Sequence, residues 1–319
     1  MAKRVKHIPS GRIKTEAPAL GILELERFTT QDLQKWEQAS ENLNELWDVL
    51  YFGVEPQRRK FRHQLIEAIK GVGHTAIQLD RWVRIVTFQY SLEPLTCAGS
   101  LQSLGGRFNA GCELDANTLR PWPALYIAQN FETAYREKFQ LSSQEGVDGL
   151  TPEELSLEGA VSHSTVFVNG HLDRVFDMTS FTALISVAKV LGKIKFPSEA
   201  APLVKKLKFD TSAYLMIKTG QQLFNAVVKQ NWRVLPTQFG LPAPSQILAE
   251  LIREAGYEAI LYPSSKGSGR CLAVCPTKLC DSAFVQLADK APSDKTTIRL
   301  DLSTADGLEG WEAIPHQFR

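Results

Sequence analysis

The stretch GSLQSLGGRFNAG, Gly99 to Gly111, holds four glycines, one arginine and no acid. Such a composition suits phosphate: glycine lets a backbone approach a ligand closely, and arginine offers a planar, two-pronged donor. The familiar phosphate motifs do not fit it. A dinucleotide fingerprint needs G-x-G-x-x-G between a strand and a helix with an acid about 20 residues on, and Gly105-Gly106 lacks that pattern. No G-x-x-x-x-G-K-[ST] string occurs, and KGSGR, Lys266 to Arg270, is by context a short hairpin loop. The chain also lacks a G-x-S-x-G elbow and an H-E-x-x-H pair. Hydride transfer, nucleotide hydrolysis and serine hydrolysis therefore lose support.

What remains is a dispersed set: Arg84, then Arg107 and Asn109 in GGRFNAG, then Tyr126 and Glu137 in LYIAQNFETAYREKF, and Ser264 in YPSS. Taken singly, a strand arginine is an ion-pair partner, a strand tyrosine belongs to a core and a helix glutamate is solvated. The five cysteines, Cys97, Cys112, Cys271, Cys275 and Cys280, contain no C-x-x-C pair and no histidine at zinc-ligand spacing. They read as reduced core thiols, and no metal site is expected.

The elements that must position this set can be read from periodicity. TTQDLQKWEQASENLNELWDVLY places Leu33, Trp36, Leu43, Leu46 and Leu50 near one helical face, with Thr29 and Asp32 spaced as a capping box. EPQRRKFRHQLIEAIKG predicts a second helix, Pro56 at its first position and Gly71 at its stop. Its run Arg58, Arg59, Lys60 and Arg62 reads first as a solvated face. From Arg81 the texture changes to short strands among helices. RWVRIVTF alternates, ALYIA is a second strand, and NFETAYREKF is a helix that Asn130 caps. STVFVNGHLDRVFDM predicts a hairpin turning at Asn169-Gly170, a type I′ pair. Helices SFTALISVAKVLG and PSQILAELIREAG follow, then the strand pair YEAILYPS and RCLAVCP.

Strands scattered among helices without regular alternation predict an α+β fold. Three segments are expected: a basic tail with helical appendage at 1–78, a catalytic domain at 79–290, and a C-terminal surface tail at 291–319. A chain of 319 residues with 44% apolar and 22% charged residues and a net charge of +1 is an ordinary globular composition. Global charge gives no argument for nucleic acid. Lys3, Arg4, Lys6, Arg12 and Lys14, with no acid among the first fourteen residues, read as a solvated tail. No apolar run reaches the length of a membrane span and no signal-peptide pattern begins the chain, so a cytoplasmic protein is expected.

The dispersed set resembles the RES domain, named for its arginine, glutamate and serine and found in the toxins of RES and Xre toxin–antitoxin pairs. The likeness runs from about Arg81 to Pro276 and rests mainly on GGRFNAG followed by ALYIAQNFETAYREKF. VFDMTS and AGYEAILYPS are similar to two further stretches of the family. Residue by residue, the resemblance assigns the strand arginine to Arg84, the glycine-loop arginine to Arg107, the tyrosine to Tyr126, the glutamate to Glu137 and the serine to Ser264. Two features depart from the pattern: the loop between GGRFNAG and ALY is longer, and Cys271 stands where an asparagine is usual.

The resemblance implies an ADP-ribosyltransferase-like mixed sheet and consumption of NAD+ as substrate, without a further cofactor. Cleaving the nicotinamide–ribose bond develops positive charge on the ribose, as in glycoside cleavage. It implies that Glu137 stabilises that charge, that Tyr126 stacks on the nicotinamide or ribose, and that Arg84 and Arg107 bind pyrophosphate. Asn109 is placed in the dinucleotide site beside Arg107, and Ser264 is expected to bond the nicotinamide ribose or its amide. Water, inorganic phosphate and a protein side chain all stay open as acceptor. The partners it implies are NAD+, an Xre-type antitoxin or other neutralising protein, and a second copy of the chain, with neither membrane nor nucleic acid. The competing expectation is an inactive RES-like scaffold whose helical N-terminus acts as a partner- or nucleic-acid-binding module.

Overall fold

The computed structural model describes residues 29–114, 119–141, 162–209 and 216–310. The basic tail of residues 1–28 lies outside them. The architecture is α+β. Helices α1 (Thr30–Lys60) and α2 (Arg62–Lys70) lead into β1 (Thr75–Thr87), followed by the short strands β2 (Gly105–Gly106) and β3 (Asn109–Ala110). Next come β4 (Leu125–Ala128), α3 (Phe131–Phe139), β5 (His163–Asp177), α4 (Ile185–Leu191), α5 (Ala200–Lys206), α6 (Gly220–Phe224) and α7 (Val234–Phe239). The chain then forms α8 (Pro244–Glu254), β6 (Ala259–Pro263), β7 (Arg270–Val274), β8 (Phe284–Leu287), β9 (Arg299–Leu300) and α9 (Ala305–Glu309).

Seven strands form one sheet in the order β1-β4-β7-β6-β5-β8-β9. Because β1 also pairs with β5 along most of its length, strands β1, β4, β7, β6 and β5 close into a ring, and β8 and β9 continue from β5. Strand alternation divides the side chains between two cores. Leu125, Ile127, Leu272, Val274, Ala259 and Leu261 enter one beneath β8, β9 and α9. Ala128, Cys271, Ala273, Ile260 and Tyr262 enter the other, against α2, α4 and α8.

Asn169-Gly170 does not turn a hairpin. It lies inside β5, where Gly170 pairs with Leu79 on one side and Val285 on the other. The glycine is required by crowding: a Cβ there would collide with the Phe284 carbonyl of β8. Asn169 instead steadies an irregularity in β1, its Oδ1 accepting the backbone N–H of Arg81, which sits at φ +48°.

Pro56 also differs from expectation, lying inside α1 rather than opening a second helix. Proline removes one backbone donor from the ladder, and the Gln57 amide donates to the nearby Gly53 carbonyl at 3.0 Å. The break comes at Phe61, whose φ of −91° and ψ of 3° leave the helical region. Arg58 and Arg59 both pair with Glu55, and Arg62 pairs with Glu250, so three of the four cations in the run are matched. Leu65 and Ile69 of α2 are fully buried in the core that carries β6 and β7. The Tyr257 hydroxyl ties in the same segment, its one proton shared between the Ile69 and Gly73 carbonyls. Toward the C-terminus, the surface tail expected after residue 290 contributes β9 and α9, with Leu300 and Leu308 buried. Residues 311–319 lie outside the described residues.

Candidate active site

A cleft of about 320 Å³ opens beside β1, β4 and β7, and its walls include Arg84, Arg107, Tyr126 and Glu137. The β4–α3 unit supplies two of them. Leu125 and Ile127 face the opposite core, which leaves Tyr126 on the cleft side. Asn130 caps α3 by accepting the Thr133 N–H at 2.9 Å, and Glu137 follows in the last turn of that helix.

Glu137 is held through one oxygen. Its Oε1 accepts the Ser264 hydroxyl at 2.6 Å and the Ser265 backbone N–H at 3.1 Å, while no bond from the described residues engages Oε2. Ser264 is buried, and its Oγ also accepts the Lys266 and Gly267 N–H groups at 2.9 and 3.0 Å. A hydroxyl has one donor and two lone pairs, so Ser264 is fully used. In this structure the hydroxyl expected to bond a ribose or amide is directed at Glu137.

Asn109 is corrected in the same way. It is completely buried, its Oδ1 accepting the Gly106 N–H and the Tyr126 hydroxyl at 2.9 Å each. Its Nδ2 donates to the Ser100 and Trp122 carbonyls. With its polar groups all engaged, Asn109 fixes the glycine hairpin and leaves no atom for a dinucleotide. The glycines serve that same internal packing. Gly105 adopts φ +82°, and a Cβ on it would crowd the Asn109 and Gly111 backbone. One on Gly106 would meet the Tyr126 hydroxyl. The Tyr126 hydroxyl, which also accepts the Phe108 N–H, is thus part of the hairpin, and burial pushes its pKa up.

Arg84 is anchored by three backbone carbonyls: Nε to Pro94 at 2.7 Å, Nη2 to Thr96 at 2.6 Å and Nη1 to Tyr126 at 3.1 Å. A guanidinium carries five donors, so one N–H on each Nη is left over. Arg107 reaches across the cleft to the Val227 and Gln230 carbonyls through Nη1 and to the Ser265 hydroxyl through Nη2. Both carbonyls belong to or follow the π-helical turn Asn225–Lys229. The Nε–H of Arg107 and its second Nη2–H have no partner among the described residues. Arg81, three residues before Arg84, pairs instead with Asp289 on the surface.

Two more cations line the cleft, and neither was singled out from the sequence. Lys138 follows Glu137 and is exposed as a whole, yet partial desolvation of its ammonium together with the Arg84 charge pushes its pKa down. Arg233 stacks on the Trp232 ring at 4.7 Å and donates to Gln140, its pKa also lowered by burial and by Arg107. Arg84, Arg107, Lys138 and Arg233 face one lining carboxylate, Glu137, and none of the four has an ion pair among the described residues. Cations held without partner acids make a receptor for a polyanion. Cys271 is a cleft-wall thiol kept protonated by burial and by Glu137. Among the described residues no group of histidines, cysteines and acids could hold a metal, and no helix is long and apolar enough to cross a membrane.

No family model matches the chain, and no curated protein does. Among solved structures it is similar to a chain in the crystal structure of the M. tuberculosis MbcT–MbcA toxin–antitoxin complex. The two share 12% identity with a TM-score of 0.38, over 78% of this chain and 98% of that one. At that score neither fold nor activity carries across.

Proposed function

We propose that the chain is an NAD+-consuming enzyme with an ADP-ribosyltransferase-like core, cleaving the bond between nicotinamide and ribose. Its biological role on this reading is that of a bacterial toxin restrained by a neutralising protein. The carrying observation is the cleft itself: one carboxylate, held through Oε1, among four cations that have no partner acid among the described residues. The resemblance of GGRFNAG and ALYIAQNFETAYREKF to the RES pattern supports the same reading.

In the reaction the C1′–N bond breaks and its electron pair passes to nicotinamide, which leaves neutral. An acceptor oxygen then bonds to C1′ and releases one proton when the acceptor is water. Glu137 Oε2 faces the positive charge that moves from the nicotinamide ring onto the ribose as the bond breaks. The leftover donors of Arg84 and Arg107 bind pyrophosphate oxygens, each as a two-pronged clamp. Tyr126 offers its ring to the ribose or nicotinamide, its hydroxyl being engaged behind it. No general acid is needed for a leaving group that departs uncharged.

Purified protein should release nicotinamide from NAD+, followed by chromatography, in buffer, with added phosphate and with cell lysate. Expression of the chain should slow bacterial growth. NAD+ left intact in all three mixtures would remove the enzymatic reading.

A further inference from the structure

Helix α8 carries a glutamine at the centre of the glycine hairpin. Gln246 is fully buried, and its Nε2 lies 2.9 Å from the Leu104 carbonyl and 3.0 Å from those of Gly106 and Asn109. Its Oε1 accepts the Ala243 N–H at 2.9 Å, which fixes the amide against the start of its own helix. Three carbonyl oxygens of one tight loop thus converge on two amide hydrogens. Buried carbonyls without a donor are costly, and the hairpin's own N–H groups are engaged elsewhere: Gly105 to Gln102, Gly106 to Asn109 Oδ1 and Phe108 to the Tyr126 hydroxyl.

Arg107 sits at the tip of this hairpin, between Gly106 and Phe108, and its bonds to Val227, Gln230 and Ser265 all lie across the cleft. Its own strand pair is two residues long on each side. The direction in which Arg107 leaves the loop is therefore set by the loop carbonyls on either side of it, and those are the carbonyls that Gln246 gathers. We infer that Gln246 is the positioning residue for Arg107, aligning its free Nε–H and Nη2–H with the anionic substrate. The inference rests on the proposed reading for the identity of that anion, but not for the geometry.

Gln246→Met keeps the side-chain length and removes both donors. Amide hydrogen exchange at residues 104–111 should rise about tenfold or more while β6 and β7 stay protected, since local opening is read separately from global unfolding. KM for NAD+ should rise about tenfold with kcat within about twofold. In an Arg107→Ala background the same substitution should change KM by less than about twofold, because residues acting through one group are not additive. A general packing role would raise exchange throughout and add its effect to that of Arg107→Ala, and either result overturns the inference. If the methionine variant does not fold, isosteric Gln246→Glu is read by the same measurements and criteria. If wild-type protein neither binds nor cleaves NAD+, the functional reading fails, while the exchange pattern still decides whether Gln246 holds the hairpin.

Discussion

At the scale of single residues, the proposed function separates groups that would touch a ligand from groups that would aim them. Glu137 is expected to act on charge that reaches the ribose only in the transition state, so Glu137→Gln should lower kcat on the order of 10²-fold or more with NAD+ affinity nearly unchanged. Arg107→Ala removes contacts common to ground and transition states, about 1.5 to 3 kcal/mol, and should raise KM about 10- to 100-fold. Calorimetric binding beside steady-state rates distinguishes the two patterns. Near-normal turnover in Glu137→Gln would take that residue out of the chemistry. Much of this set was legible in sequence because Tyr126 and Glu137 belong to one compact strand–helix unit. Ser264 and Asn109 were legible as members of the set but their internal partners were not, since one hydroxyl or amide reads alike whether it meets a substrate or a neighbour. Arg233, Gln246 and Lys138 left no signal. Arg233 and Gln246 come together with the rest only on tertiary closure, and nothing in NWRV, PSQIL or the YREKF around Lys138 distinguishes these side chains from those of an ordinary helix end.

At the scale of elements, local propensity lost wherever a segment gained two neighbours. Asn-Gly favours a tight turn, yet β5 passes straight through Asn169-Gly170 because β1 and β8 pair with it from both sides. Gly170→Ala should therefore destabilise through collision with the Phe284 carbonyl. The cost of overpacking is about 1 to 3 kcal/mol, visible as a lower urea midpoint. A stability equal to wild type would mean that β8 yields easily. Pro56 repeats the lesson, since a 31-residue helix continues through it. The strand pair β6–β7, the Asn130 cap and the capping box of Thr29 and Asp32 needed no distant partner, and they were legible.

At the scale of the whole molecule, α2 is built into the main core rather than laid upon it. A chain beginning at Leu79 would lose Leu65 and Ile69, each fully buried, along with the first residues of β1. Burial of that order is worth about 2 to 5 kcal/mol per large apolar side chain, against a net stability of about 5 to 15 kcal/mol for a typical fold. Such a chain should be insoluble or lack a cooperative melting transition by circular dichroism. A soluble, fully active product would show that α2 is dispensable.

The cleft also bears on how the molecule behaves in a mixed solution. Four like charges facing a single carboxylate repel one another when nothing is bound, so the empty protein holds a local electrostatic tension that dissolved salt relieves by screening. A bound polyanion relieves it more completely and, by mass action, raises the melting temperature in proportion to the logarithm of its concentration. If that anion is the dinucleotide, every turnover removes a molecule of the enzyme's own stabiliser. The protein would then be sturdiest in a cell rich in NAD+ and would grow more fragile as its work succeeds.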